Sequence, residues 1–131
     1  MFQNRITLIG FLGQDAEIRR TKNAGTQYVV LSLATKRSWK DRESGERQSE
    51  TTWHRCVVWG RLGDFAASLT KGAHLQVEGD LRKRDYSDYA GGKESAGATK
   101  TVVEVRVTAI AKLDRPTRAA ESDPEPAEVP Q

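Results

Sequence analysis

Trp39, Trp53 and Trp59 each stand among polar or basic residues. Trp39 follows Lys36-Arg37-Ser38 and precedes Lys40, Trp53 precedes His54-Arg55, and Trp59 precedes Gly60-Arg61. A core tryptophan usually has apolar neighbours on its own strand face. A flat ring beside a guanidinium can instead stack on an unpaired base while the cation meets the adjoining phosphate. The pairing recurs farther along, where Arg82-Lys83-Arg84 lead to Tyr86. Each phosphate neutralised by such cations releases a counterion, so binding of this kind weakens with salt. The pattern points to a binder of single-stranded nucleic acid.

Parity sharpens the reading around Trp53. Thr51 to Trp59 reads as a strand, and successive strand residues point to opposite faces. Trp53, Arg55, Val57 and Trp59 then share one face, with His54, Cys56 and Val58 on the other. Two rings with an arginine between them would form a stacking platform that also holds a phosphate. The alternative is that these rings fill a barrel interior, and the apolar Val57 in their row favours it.

Other chemistries find little support. His54 and His74 are the two histidines and Cys56 the one cysteine, so no zinc-type spacing occurs. There is no Gly-x-x-x-x-Gly-Lys-Ser/Thr phosphate loop and no Gly-x-Ser-x-Gly elbow. Gly10-Phe11-Leu12-Gly13 reads as a strand-end turn. No catalysis, cofactor or metal is expected.

Length and charge set the frame. With 131 residues, 37% of them apolar, the chain suits one small barrel or sandwich. No apolar run approaches the ~18 residues that span a bilayer, so no membrane association is expected. The N-terminus does not read as a signal peptide, and a single cysteine fits a reducing cytosol. A cytoplasmic, nucleoid-associated protein is the expectation. Glu121, Asp123, Glu125 and Glu128 lie in the last thirteen residues, which hold no basic residue. The 21 basic residues therefore face only 14 acidic ones in the body. All four prolines lie from Pro116 onward, and all 11 glycines lie earlier. Residues 1–115 read as the domain and 116–131 as a short, disordered, acidic tail with little to bury.

The body reads as all-β with one helix. Ile6 to Leu12 and Tyr28 to Thr35 are strands, joined through the turn signal Lys22-Asn23-Ala24-Gly25. Ser38 to Glu50 is polar and reads as a long mobile hairpin loop before the third strand, Thr51 to Trp59. Leu62, Phe65, Ala66 and Leu69 follow the spacing of a helix with one buried stripe, closed by Gly72. Leu75, Val77 and Leu81 alternate in a fourth strand. Tyr86 to Thr99 is a second polar loop, and Val103, Val105 and Val107 alternate in a fifth strand. Five strands with a helix between the third and fourth match the five-stranded Greek-key OB-fold barrel, which binds oligonucleotides.

At this level the residues resemble a family. Asn4 to Arg19 resembles the opening strand of bacterial single-stranded DNA-binding proteins. Leu33-Ala34-Thr35, Thr52-Trp53-His54-Arg55, Leu69-Thr70-Lys71-Gly72 and Val77-Glu78-Gly79-Asp80-Leu81-Arg82 resemble its later landmarks, in order, from about Asn4 to Leu113. The resemblance implies an OB-fold homotetramer, with a dimer as the alternative. Such proteins wrap and protect single-stranded DNA in replication, repair and recombination. By resemblance the stacking residues are Trp39, Trp53, Trp59 and Tyr86. By resemblance phosphate contacts fall to Arg5, Lys36, Arg55, Arg61, Lys71, Arg82 and Arg84, and the basic cluster before Trp39 adds Arg37. His54, His74 and Gln76 fall at subunit interfaces. The tail ends Glu128-Val129-Pro130-Gln131 without the family's Asp-rich, Phe-terminated tip, which puts recruitment of other genome-maintenance proteins in doubt. An alternative reading is a primosome-type accessory subunit of the same fold that works mainly through protein contacts.

Overall fold

Alternating apolar residues build five of the strands, and glycines let them close on one another. The computed structural model describes residues 1–87 and 99–114. In chain order the elements are β1 (Ile6–Leu12), β2 (Glu17–Arg20), β3 (Gln27–Lys40), β4 (Arg47–Trp59), α1 (Arg61–Ala66), β5 (His74–Ser87) and β6 (Thr99–Lys112). β1 pairs antiparallel with β5 along most of its length, then crosses to β3 at Phe11 and Leu12. β3 pairs with β4, β5 pairs with β6, and β4 meets β6 in parallel at Cys56–Val105 and Val57–Arg106. The circuit β1-β5-β6-β4-β3-β1 is a closed five-stranded barrel, the OB-fold expected from the order of elements.

One face of each strand fills the interior. Val29, Leu31 and Leu33 of β3, Cys56 and Val58 of β4, and Leu75 and Val77 of β5 are sealed from solvent. Leu12, Val105 and Val107 complete the wall, while Ala66, Leu69 and Ala73 from the α1 segment close one end. Burying each large aliphatic side chain contributes ~1.5–3 kcal/mol.

Two glycines permit the closure. A Cβ on Gly10 would collide with the carbonyl oxygen of Ala34, where β1 crosses β3. A Cβ on Gly79 would collide with the carbonyl oxygen of Arg106, at the register shift where β5 bends against β6. Close backbone approach at a bend is a task for which only glycine has room.

Four expectations need correction. β2 is a strand that the pattern did not announce, because four largely exposed residues hydrogen-bonded to the edge of β3 carry no burial period. The segment Ser38 to Glu50 is mostly ladder, not loop. β3 runs to Lys40 and β4 begins at Arg47, so only the turn between them is irregular. There Asp41 accepts from the Ser44 N–H and hydroxyl at 3.0 and 2.9 Å, and Gly45 takes φ 74°. The helix is shorter than its spacing suggests, and Phe65 is exposed. Gly63 and Ala66 are the residues pressed against the barrel, since Gly63 lies against the Val58 carbonyl and the Val29 side chain. That close approach turns Phe65 outward. Gly72, at φ 91°, does not cap the helix; it turns the chain so that its N–H reaches the Leu12 carbonyl at 2.9 Å.

The second long loop is likewise framed by ladder, since β5 and β6 pair as far as Ser87 and Thr99. Its tip, like the acidic tail at 116–131, lies outside the described residues.

The Gly79→Ala variant should lose ~1–3 kcal/mol of stability, the usual range for forced overpacking. A urea midpoint equal to that of the parent would contradict the close approach of β5 and β6.

Candidate nucleic-acid interface

The outer face of the β3–β4 ladder carries what its inner face excludes. Cα pairing sets Tyr28 opposite Trp59, Val30 opposite Val57, Ser32 opposite Arg55 and Ala34 opposite Trp53. All eight side chains have the parity opposite to the core row Val29, Leu31, Leu33, Cys56 and Val58. The tryptophans of β4 therefore do not fill the barrel. Val57 lies on their face yet is 4% exposed, covered between its neighbours as a small apolar floor.

Each ring is held differently. Trp53 is 58% exposed, the most open of the aromatics on this ladder, and its benzo edge lies over Gly13 where any Cβ would strike it. The Gly13 N–H donates to the Ser32 carbonyl at 3.0 Å, which fixes that bend beside the ladder. Asp15 in the same bend accepts from the Lys71 N–H at 2.9 Å, so the turn bearing Lys71 is tied to the turn under Trp53. Trp59 is half-buried and stacks on Tyr28, with centroids 4.6 Å apart and planes 25° from parallel. Trp39 sits on the projecting hairpin opposite Gln48 and is 37% exposed. Its parity is that of Arg37 and Thr35, so it faces the other side of the ribbon from Trp53. The Arg37 guanidinium lies 4.5 Å above its ring. The three tryptophans thus occupy two faces of one ribbon. The backbone of Tyr86 pairs with Lys100 in the β5–β6 ladder, and its side chain lies outside the described residues.

Most of the cations expected to meet phosphate already have carboxylate partners. Arg55 Nε donates to Glu104 at 3.2 Å and Arg84 reaches the same oxygen at 3.4 Å. Arg37 pairs with Glu50 at 3.4 Å, Arg82 with Asp80, and Arg5 with Glu78 at 3.9 Å. Lys36, Arg61 and Lys71 are exposed with no ion pair among the described residues. Lys36 has the parity of Trp53, and Arg61 opens α1 two residues after Trp59. The more exposed of these pairs, at Arg5, Arg37 and Arg82, contribute only ~0–1 kcal/mol each, so they orient side chains more than they hold the fold.

The three residues assigned to subunit contacts separate. His74 and Gln76 lie on the outer face of β5, His74 stacked on Phe11 at 4.3 Å and 8°. Register places Ile9 and Ala111 beside Gln76, and the Leu113 N–H bonds the His74 carbonyl at 2.7 Å. Ile9, Phe11, Ala111 and Leu113 make this an exposed, largely apolar sheet face. His54 is elsewhere, half-buried on the inner parity of β4, its Nε2 2.8 Å from the Thr35 hydroxyl. Burial lowers its pKa from the ordinary histidine value. Cys56 is sealed in the core, and that burial pushes its thiol up to about 12. Among the described residues no group of three potential ligands could hold a metal ion.

Sequence reasoning did not find Tyr28, Gly13 or Glu104. Tyr28 could have been reached by pairing it with Trp59 once the hairpin register was known. Nothing local announces Gly13 or Glu104, because their roles come from contacts across strands.

Known proteins match the same architecture. The profile of the single-strand binding protein family matches residues 3–113. A Plasmodium falciparum SSB solved in complex with ssDNA is 30% identical, with a TM-score of 0.71, over 87% of this chain and 97% of that one. A deletion mutant of the single-stranded DNA binding protein from Thermus aquaticus is also 30% identical, with a TM-score of 0.67. It is matched over 86% of this chain and 51% of its own.

Gly13 has no left-handed φ to preserve, and the group its Cβ would strike is the far edge of a side chain. Gly13→Ala should therefore leave the melting temperature within a few degrees of the parent while changing the near-ultraviolet tryptophan spectrum. An unchanged spectrum would mean that Trp53 does not rest on this bend.

Proposed function

This chain belongs to the single-strand binding protein family, and from that premise we propose that it binds single-stranded DNA with little regard to sequence. The observation that carries the reading is the outward-facing row Trp53-Arg55-Trp59 of β4, opposite the core, with the Trp53 ring open to solvent. Every base has a π-face, so exposed indoles hold any base. Stacking contributes ~1–3 kcal/mol per base, a range taken from single-strand binders of this general kind. Trp53 offers the most open ring, and Trp59 a ring already braced by Tyr28. Because Trp39 faces the other side of the ribbon, a strand that uses all three must pass around the hairpin edge. Of the expected phosphate contacts, Lys36, Arg61 and Lys71 are available without breaking an ion pair among the described residues, and Arg55 retains its terminal N–H groups. Arg5, Arg37, Arg82 and Arg84 would have to share with their carboxylates. Tyr86 is the proposed ring of the β5–β6 ribbon.

The apolar face of β1, β5 and β6 supports assembly of several copies. Ile9, Phe11, His74 and Gln76 would be covered by a second chain, and a homotetramer is the proposed state. His54, bonded to Thr35, would act there through the barrel wall and not as a direct contact. Protection of single strands in replication, repair and recombination in the cytoplasm, without catalysis, is the role proposed for the assembly. The barrel spanning 1–115 would carry binding, with the acidic segment 116–131 apart from it. The alternative of an accessory subunit working through protein contacts gives the open indoles no task.

Oligo-dT should quench the intrinsic tryptophan fluorescence, and duplex DNA of equal length should do so far less. Trp53→Ala should weaken oligo-dT binding roughly 5- to 150-fold, the affinity equivalent of one stacked base. Equal quenching by single and double strands would overturn the reading.

A further inference from the structure

Among the described residues, Glu104 is the carboxylate that pairs with arginines of two neighbouring strands at once. It lies on β6, between Arg55 on β4 and Arg84 on β5, and its side chain is only 12% exposed. A single oxygen, Oε1, receives both guanidinium groups, at 3.2 Å from Arg55 Nε and 3.4 Å from Arg84. A negative group here should disfavour a polyanion by charge alone. The geometry of the contact argues for a different role. Arg55 is engaged through Nε, which leaves both terminal nitrogens and their four N–H donors unused by the pair. A guanidinium is a rigid fork, so fixing Nε fixes the direction of the remaining donors. Arg55 is 30% exposed at its side chain and stands between Trp53 and Trp59 in the same row.

We propose that Glu104 is a positioning residue for DNA binding: it locks Arg55 as an ordered donor within the stacking row. The inference rests on the single-strand binding proposed above. A phosphate lying between two stacked bases would meet the terminal donors of an Arg55 already held in place, and it need not displace Glu104 to do so. Without the carboxylate Arg55 would gain positive field but lose the contact that orients it. Preorganised donors bind better than free ones because less side-chain freedom is lost on binding. The proposal therefore predicts the opposite sign from simple charge counting.

The test compares the parent, Glu104→Gln, Arg55→Ala and the double variant by oligo-dT titration at two salt concentrations. Glu104→Gln keeps the shape of the side chain and removes one negative charge. It should bind about five- to tenfold more weakly than the parent, as expected when a rigid fork loses its anchor. Losses in the double variant should be smaller than the product of the two single losses, because Arg55 is the group that Glu104 orients. A purely structural role would lower the melting temperature and give losses that multiply. Tighter binding by Glu104→Gln, with a steeper salt dependence, would show that the carboxylate competes with phosphate and would overturn the proposal. Losses that multiply would overturn it equally. Failure of the parent itself to bind oligo-dT would instead refute the function on which this inference rests.

Discussion

The alternation of β3 and β4 is the constraint on which the rest of the molecule depends. Their ladder runs from Tyr28–Trp59 to Lys40–Arg47, and one period-two rule sorts its side chains into two populations. The inner row seals the barrel with aliphatic side chains and Cys56. The outer row presents Trp59, Arg55 and Trp53 over a floor made by Val30 and Val57. A slip of one residue would exchange these sets, burying indoles and arginine and exposing the core. The interface is therefore protected by the same free energy that holds the fold, because any register that spoils one spoils the other.

Beyond the barrel the ladder continues with side chains that are polar except for Trp39. No residue of the hairpin from Lys36 to Glu50 belongs to the buried core, so backbone pairing, the Asp41–Ser44 turn, the Arg37–Trp39 stack and cross-strand contacts such as Arg37–Glu50 define it. Such a ribbon is more easily deformed than the barrel wall. Trp39 stands on this arm, whereas Trp53 and Trp59 stand on the barrel wall. Ion pairing divides the cations in the same way. Arg55 and Arg84 are tied across strands to Glu104, while Lys36, Arg61 and Lys71 are left to solvent. An electrostatic surface built this way combines directed donors with mobile ones.

How much of this was legible depends on whether a residue's role is local. The order of strands and the helix position followed from runs of apolar residues and turn signals, and the barrel followed from them. The face shared by Trp53, Arg55 and Trp59 followed from counting by two along one strand. β2 escaped because its short edge buries nothing that a period could show. The hairpin arms read as loops because a ladder exposed on both faces looks, in sequence, like a polar linker. Phe65 was misplaced because helical spacing alone cannot tell which of two adjacent stripes meets the barrel. Gly63, allowing close approach, decided it. Glu104 and Gly13 are legible only after folding, since their partners lie on strands distant in the chain.

The central claim is that the indole of Trp53 is open to solvent and is the surface an unpaired base covers. Acrylamide quenching of the Trp39→Phe/Trp59→Phe double variant, which leaves Trp53 as the sole indole, measures this directly. The account predicts ready quenching in the free protein and strong protection once saturating oligo-dT is bound. Binding of oligo-dT with no change in the accessibility of Trp53 would contradict it.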